Sequence, residues 1–238
     1  MQIACLMPTY GRRQSLLNNA IACFAKQTHK DKFLLIYDDL GSLSNATCDL
    51  PNVAIMSTPK RSASLGEKYN EMIRFLDGRD YDAVAVLDDD DVYFSKWLEF
   101  HSEALKTSGW SKPSRILSAY HNPPKEENAS GRFHGSIAIS RELVERCPWI
   151  NTKLAVFDQM YLARLMEAEA PADPCDFGPI QYVYRWASSA AGHCSGLMGD
   201  PEWYEKYRPD STEPIDRLWP EFDADSLRIA KHCWGESQ

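Results

Sequence analysis

Residues 83–91, AVAVLDDDD, constrain this chain more than any other stretch. Ala83, Val84, Ala85, Val86 and Leu87 form an unbroken apolar run of strand length, the pattern of a strand covered on both faces of its sheet. Asp88, Asp89, Asp90 and Asp91 follow at once. Adjacent carboxylates repel one another, so the cluster opposes folding unless a cation sits there. Open α/β sheets bind ligands at the carboxyl ends of their strands. One reading is therefore a divalent cation held by oxygen ligands and bridging to a phosphate. The other is a solvated acidic loop that caps the next helix, since Asp is a good N-cap.

The segments upstream favour a layered α/β core. Gln2 to Met7 is a short apolar strand, and Pro8-Thr9-Tyr10-Gly11-Arg12 is the turn after it. Leu16, Leu17, Ala20, Ile21 and Phe24 recur at helical spacing, which predicts an amphipathic helix from Arg13 to Gln27. Phe33 to Tyr37 is a second buried strand and also ends in carboxylates, Asp38 and Asp39, before Gly41 and Ser42. Val53 to Met56 is a third strand, and Ser64 to Leu76 has helical periodicity. Strand, helix, strand, strand, helix, strand, with acids at two strand ends, predicts a parallel nucleotide-binding sheet.

Downstream, Trp97, Phe100, His101, Ala104 and Leu105 define a helix, and Arg115 to Ala119 a strand. His121 to Gly131 is polar and Pro-rich and reads as a loop. Ile137 to Ile139 is a strand with a short helix from Arg141, Phe157 to Glu167 a helix, and Gln181 to Trp186 an alternating strand. Trp203, Tyr204, Tyr207, Trp219, Phe222 and Trp234 crowd the last forty residues. So many aromatics predict a tail packed over the core or lining a site.

The length, 238 residues, suits one globular domain or a domain with an extended tail. A net charge of −8 gives no general pull toward nucleic acid or anionic membranes. Seven cysteines, an odd number with no CxxC pair, argue against a disulfide scaffold or a zinc site and for a reducing compartment. No apolar run approaches membrane-spanning length, and the N-terminus lacks the pattern of a signal peptide. The expected location is cytoplasmic.

Five matched segments in order resemble glycosyltransferase family 2 with the GT-A fold. They are the first strand with Pro8 to Arg12, Leu35 to Asp39 with Gly41-Ser42, Leu65-Gly66-Glu67-Lys68-Tyr69-Asn70, Leu87 to Asp91, and Phe157-Asp158-Gln159. Leu87 to Asp91 looks like that family's DxD motif, and Phe157-Asp158 like its ED segment, with Phe157 where Glu is usual. The late His193 matches a histidine that can complete the metal site. The resemblance spans roughly residues 2–193. It implies a Rossmann-like core with a mostly parallel sheet flanked by helices. Residues 1–195 would form the GT-A domain, with a donor half to about residue 110 and an acceptor-side half from 111, and residues 196–238 an extension packed on the core.

The resemblance also implies transfer of a sugar from a nucleotide-sugar donor, a UDP-sugar by family habit, to an acceptor hydroxyl with inversion. Asp90 and His193 would hold Mn²⁺ or Mg²⁺ on the donor diphosphate. Asp88 or Asp89 would reach the ribose, Asp39 the base or ribose, and Pro8, Tyr10 and Arg12 would form the opening donor turn. Lys68 and Arg185 are candidates for phosphate contacts, although such residues are more often solvated. Asp158 would be the base, its plain alternative being a helix N-cap. His134 and Gly135 fall in an acceptor-side loop. The acceptor stays open among saccharide, protein, lipid headgroup, small molecule and modified nucleobase, with the acidic charge disfavouring nucleic acid. Two competing functions are a sugar-phosphate nucleotidyltransferase, which usually has a Gly-rich, Arg-containing loop after the first strand, and a catalytically inactive binding module.

Overall fold

The computed structural model describes residues 1–9, 14–48, 50–118, 125–130, 134–154 and 156–184, with the side chains of residues 14–16 and 134 left out. In chain order the elements are β1 (Ile3–Thr9), α1 (Gln14–Ala25), β2 (Lys32–Asp38), β3 (Val53–Ser57), α2 (Leu65–Phe75), β4 (Ala83–Val86), β5 (Val92–Tyr93), α3 (Trp97–Ala104), β6 (Trp110–Ser111), β7 (Arg115–Ser118), β8 (Lys125–Asn128), β9 (Ala138–Ser140), α4 (Arg141–Arg146), α5 (Phe157–Ala168) and β10 (Tyr182–Tyr184). Short 3₁₀ turns lie at His134–Ser136 and Pro174–Phe177.

The main sheet has the order β3-β2-β1-β4-β9-β6. Strands β3, β2, β1 and β4 are parallel, and β9 runs antiparallel to both β4 and β6. Alternation along each central strand divides the core into two layers. Ile3, Cys5 and Met7 of β1 join Leu34, Ile36, Ala83 and Ala85 on the face that α1 and α3 cover. Ala4 and Leu6 join Leu35, Tyr37, Val84 and Val86 on the other face, against α2, α4 and α5. These strands are apolar on both faces because both faces are covered, and each buried Leu or Ile stabilises the fold by roughly 1.5–3 kcal/mol.

A second sheet, β5-β10-β7-β8, abuts the carboxyl end of β4. Here the fold departs from the sequence reading. Lys125–Asn128, expected within a loop, is a strand paired antiparallel to β7. Its residues KEEN carry no apolar alternation; the backbone ladder alone defines it. Elsewhere the expected elements are present, with ends shifted by no more than two residues among the described residues. The helix expected over Ser64 to Leu76 has Ser64 as N-cap and Leu76 as C-cap. No helix among the described residues is long and apolar enough to cross a membrane. The aromatic segment 196–238 lies outside the described residues.

Candidate active site

Three parallel strands end side by side and deliver the site. Register aligns Thr9 of β1 with Asp38 of β2, and Leu6 of β1 with Val86 of β4, so Thr9, Asp39 and Asp88 to Asp91 emerge at one edge. The two acids after β2 have different tasks. Asp38 is fully buried and accepts hydrogen bonds from Leu40 N (3.0 Å), Leu43 N (2.9 Å), Ser42 Oγ (3.2 Å) and Ser57 Oγ (2.9 Å). It builds the turn through Gly41, whose φ of 77° suits glycine. Asp39 faces the site instead. Its Oδ1 accepts from Lys68 Nζ at 2.8 Å and its Oδ2 from Ser62 N at 3.2 Å, and Arg61 Nε lies 3.5 Å from Oδ2.

Lys68 is brought there by α2. The helix starts on Ser64, whose Oγ accepts Glu67 N at 3.0 Å, while the Glu67 carboxylate accepts Ala63 N. The paired side chain-to-backbone bonds resemble a capping box and fix the first turn. Lys68 Nζ also donates to the carbonyl of Thr9 at 2.6 Å. Two of its three N–H donors therefore point to Asp39 and to the end of β1. This geometry makes Lys68 the tie between β1, β2 and α2. Burial lowers the Lys68 pKa, and Asp39 opposes that shift.

The acid cluster is held by hydroxyls. Thr9 Oγ1 donates to Asp89 Oδ2 at 2.7 Å, Tyr69 OH to Asp88 Oδ1 at 3.0 Å, and Tyr182 OH to Asp91 Oδ2. Tyr93 OH accepts Asp88 N–H at 2.7 Å and donates to the Gly135 carbonyl at 2.8 Å. Asp89, Asp90 and Asp91 are buried. The tyrosine phenols of Tyr69, Tyr93 and Tyr182 are pushed well up, first by burial and then by these carboxylates, so they stay protonated donors. Gly135 lies close against the cluster: a Cβ there would stand 2.3 Å from Asp88 Oδ2. The structure thus sets Gly135 against the acid cluster, in a 3₁₀ turn with His134.

Asp158 lies in the first turn of α5, partly exposed, and its Oδ1 accepts Gln159 N at 2.9 Å. Val156 is the N-cap, so Asp158 is not the plain cap that was its alternative reading. Burial raises the Tyr184 phenol, and so do the charges of Asp91, Asp90, Asp158 and Asp88, in that order. One phenol at the end of β10 therefore feels both the acid cluster and Asp158. Gly66 lets α2 and α5 approach: a Cβ would meet Ile150 O at 2.0 Å and the Phe157 ring at 2.9 Å. Asn70 pairs with the backbone of Trp149 in both directions, at 2.9 and 3.0 Å, and Trp149 stacks between Tyr69 and Tyr161.

Of the expected site residues, Pro8, Asp39, Lys68, Asp88, Asp89, Asp90, Gly135 and Asp158 are described. Tyr10, Arg12, Arg185 and His193 lie outside the described residues, as does the side chain of His134. The sequence reading gave no role to Tyr69, Tyr93 or Tyr182. These three tyrosines lie on α2, β5 and β10, far apart in the sequence, and meet the acid cluster only in the fold. Among the described residues no group of three or more His, Cys, Asp or Glu would hold a metal ion alone. A buried, all-oxygen donor set still suits Mg²⁺ or Mn²⁺, because such ions are commonly held by one or two carboxylates with substrate phosphates and water.

Comparison with known structures and families follows the same lines. The S. aureus TarS 1–349 structure in complex with UDP-GlcNAc superimposes with a TM-score of 0.62 at 13% identity, covering 86% of this chain and 64% of that one. The complex of the same protein with UDP gives 0.60 at 13%, covering 79% and 61%. A longer S. aureus TarS structure gives 0.55 at 12% and covers 79% of this chain and 37% of that one. The chain thus spans less than two thirds of each of these structures, and at such identity the likeness is one of fold. No curated protein matches by sequence. Residues 4–145, more than half of the chain, match the profile of Glycosyl transferase family 2. With the parallel sheet and the acid cluster at its carboxyl edge, that match places the chain in glycosyl transferase family 2.

Proposed function

We propose that the protein transfers a sugar from a nucleotide-sugar donor, in the first instance a UDP-sugar, to an acceptor hydroxyl with inversion and with help from Mn²⁺ or Mg²⁺. The observation that carries this reading is the run of carboxylates Asp88 to Asp91 at the carboxyl edge of the parallel sheet, in a chain whose residues 4–145 match Glycosyl transferase family 2. It supports a donor diphosphate beside the cluster. The UDP and UDP-GlcNAc complexes of the structurally similar TarS support the donor class.

The chain's own residues have these tasks. Asp39, fixed by Lys68, accepts hydrogen bonds from the nucleoside. Asp88 or Asp89, oriented by Tyr69 and Thr9, reaches the ribose. Asp90, with His193, would hold the cation, which would supply neutralisation of the charge on the departing diphosphate. Asp158 takes the acceptor proton as the hydroxyl oxygen forms its bond to the anomeric carbon. The bond from that carbon to the diphosphate oxygen breaks, and the nucleoside diphosphate leaves with the electron pair. A single displacement of this kind inverts the centre.

The test is a nucleotide-sugar panel assayed for donor hydrolysis, with and without Mn²⁺, on wild type and Asp90→Ala. The expected result is cation-dependent release of one nucleoside diphosphate, abolished in the variant. Interconversion of a sugar 1-phosphate and a nucleoside triphosphate would replace the proposal with a nucleotidyltransferase. Donor binding by calorimetry, with no turnover on any donor across an acceptor panel, would leave a binding module.

A further inference from the structure

Strands β4 and β9 run antiparallel, with Val84 opposite Ile139 and Ala85 opposite Ala138. In such a ladder every second opposed pair is joined through its backbone N–H and C=O groups. Here the joined pairs are marked by Arg141 N to Asp82 O at 2.8 Å and by Val86 N to Ile137 O at 3.0 Å. Two residues further on, the same register sets Asp88 opposite Gly135. A direct bond from Asp88 N–H to the Gly135 carbonyl would be the next rung. A side chain takes its place. The Tyr93 hydroxyl accepts Asp88 N–H at 2.7 Å and donates to the Gly135 carbonyl at 2.8 Å.

Chemistry fixes the direction of this relay. A backbone N–H only donates and a carbonyl only accepts, whereas a hydroxyl does both. One oxygen therefore satisfies both backbone groups. It uses two bonds where the ladder would have one, and it holds residues 88 and 135 further apart than a direct rung would. The oxygen is itself held in place. Tyr93 is 1% exposed, and its ring packs edge-on against Trp97 at 4.6 Å and tilted against Tyr182 at 5.3 Å. Tyr182 lies opposite Tyr93 in the β10–β5 ladder. Its hydroxyl donates to Asp91 and lies 3.2 Å from where a Cβ on Gly135 would stand. The second sheet thus reaches into the end of the first where the carboxylates leave it.

We propose that Tyr93 is a positioning residue: its hydroxyl, interposed as a rung between β4 and β9, sets the spacing between the Asp88–Asp91 turn and the turn at His134–Ser136. The spacing is tight, since Asp88 Oδ2 lies only 2.3 Å from the position of a Cβ on Gly135. Phenylalanine at residue 93 would keep the ring and its packing but remove the wedging oxygen. Closure of the rung would then move Asp88, whose Oδ1 Tyr69 holds at 3.0 Å, relative to Gly135. The interposed rung stands on the hydrogen bonds alone, while its effect on donor handling rests on the sugar-transfer reading.

The test has two parts. The first is the NMR scalar coupling carried across hydrogen bonds, from amide nitrogen to carbonyl carbon, in the isotope-labelled full chain. Wild type should show it from Val86 to Ile137 and not from Asp88 to Gly135. A coupling from Asp88 to Gly135 in wild type overturns the interposed rung. The second is Tyr93→Phe, with donor KM and kcat measured beside the urea midpoint. Donor KM should rise about tenfold, the order that one buried hydrogen bond carries, with kcat changed less. A merely structural tyrosine would lower the midpoint and leave the donor KM of the folded enzyme unchanged, and that result overturns the positioning role. The wild-type coupling decides the rung even if Tyr93→Phe fails to fold. Absence of donor turnover in wild type would count against the sugar-transfer reading and leave the rung standing.

Discussion

Lys68 Nζ stands 2.8 Å from Asp39 Oδ1, with both side chains less than a tenth exposed, and the same ammonium holds the carbonyl of Thr9 at 2.6 Å. This pair joins the ends of β1 and β2 to α2. Removing one partner of a buried ion pair strands the other charge, at a cost of about 3–5 kcal/mol. Lys68→Met should therefore lower the urea midpoint strongly and raise the donor KM. Asp39→Asn added to Lys68→Met should recover part of the stability, since no charge is then stranded, while leaving donor binding weak. An unchanged midpoint in Lys68→Met would show that Arg61, 3.5 Å from Asp39, suffices to hold the carboxylate.

Two glycines separate stability from donor handling. At Gly66 a Cβ would press on the Ile150 carbonyl at 2.0 Å, and backbone on that side cannot yield cheaply. Gly66→Ala should destabilise by about 1–3 kcal/mol or more and displace the start of α5. At Gly135 the obstacle is the Asp88 carboxylate at 2.3 Å, a side chain that can rotate once it lets go of Tyr69. Gly135→Ala should melt close to wild type and raise the donor KM. Thermal melts paired with donor titrations check both, and equal losses of stability in the two variants would contradict the distinction.

The sequence displays the parallel core because central strands buried on both faces must be apolar throughout, as at Leu34 to Tyr37 and Ala83 to Leu87. It displays the acid cluster because no core pattern explains four carboxylates after such a strand. Two strands of the second sheet, β5 and β8, were opaque for the opposite reason. Lys125–Asn128 is defined by its ladder to β7, and β5 has only two residues, so neither has a side-chain period to read. Within the site, Asp38 and Asp39 look equivalent in sequence, and only the Gly41 turn and α2 assign one to the backbone and the other to Lys68. The roles of Tyr69, Tyr93 and Tyr182 depend on contacts across 19, 42 and 91 residues, which no local pattern encodes.

His101 should leave a mark on the acid side of the stability profile. Its pKa is about 3 in the fold, because burial outweighs the opposing effect of Asp173, against an ordinary histidine value of 6.5. Between those values the unfolded chain binds a proton that the folded chain does not. Stability thus rises with pH through this window, and the contribution is complete above it. The slope from this one group reaches roughly 1.4 kcal/mol per pH unit. Carboxylates add their own slope at the lower end, so the clean comparison is wild type against His101→Gln between about pH 5 and 6.5. The difference in unfolding free energy should shrink as pH falls, and a constant difference would mean that the imidazole takes up its proton in the fold as readily as in the unfolded chain.

Asp158 tests the acceptor side. It lies in the first turn of α5, where its charge is favoured by the helix dipole, and it is partly exposed, as a group that must meet a second substrate has to be. Asp158→Asn keeps the size and the bond to Gln159 N but cannot take a proton. A positioned general base contributes about 10²–10⁴-fold, so transfer kcat should fall by that order while the donor KM stays near wild type. Asp158→Glu should restore part of the rate, since it returns a carboxylate at a slightly different reach. Transfer in Asp158→Asn within a few-fold of wild type would move the base elsewhere, and a parallel rise in donor KM would place Asp158 at the donor site.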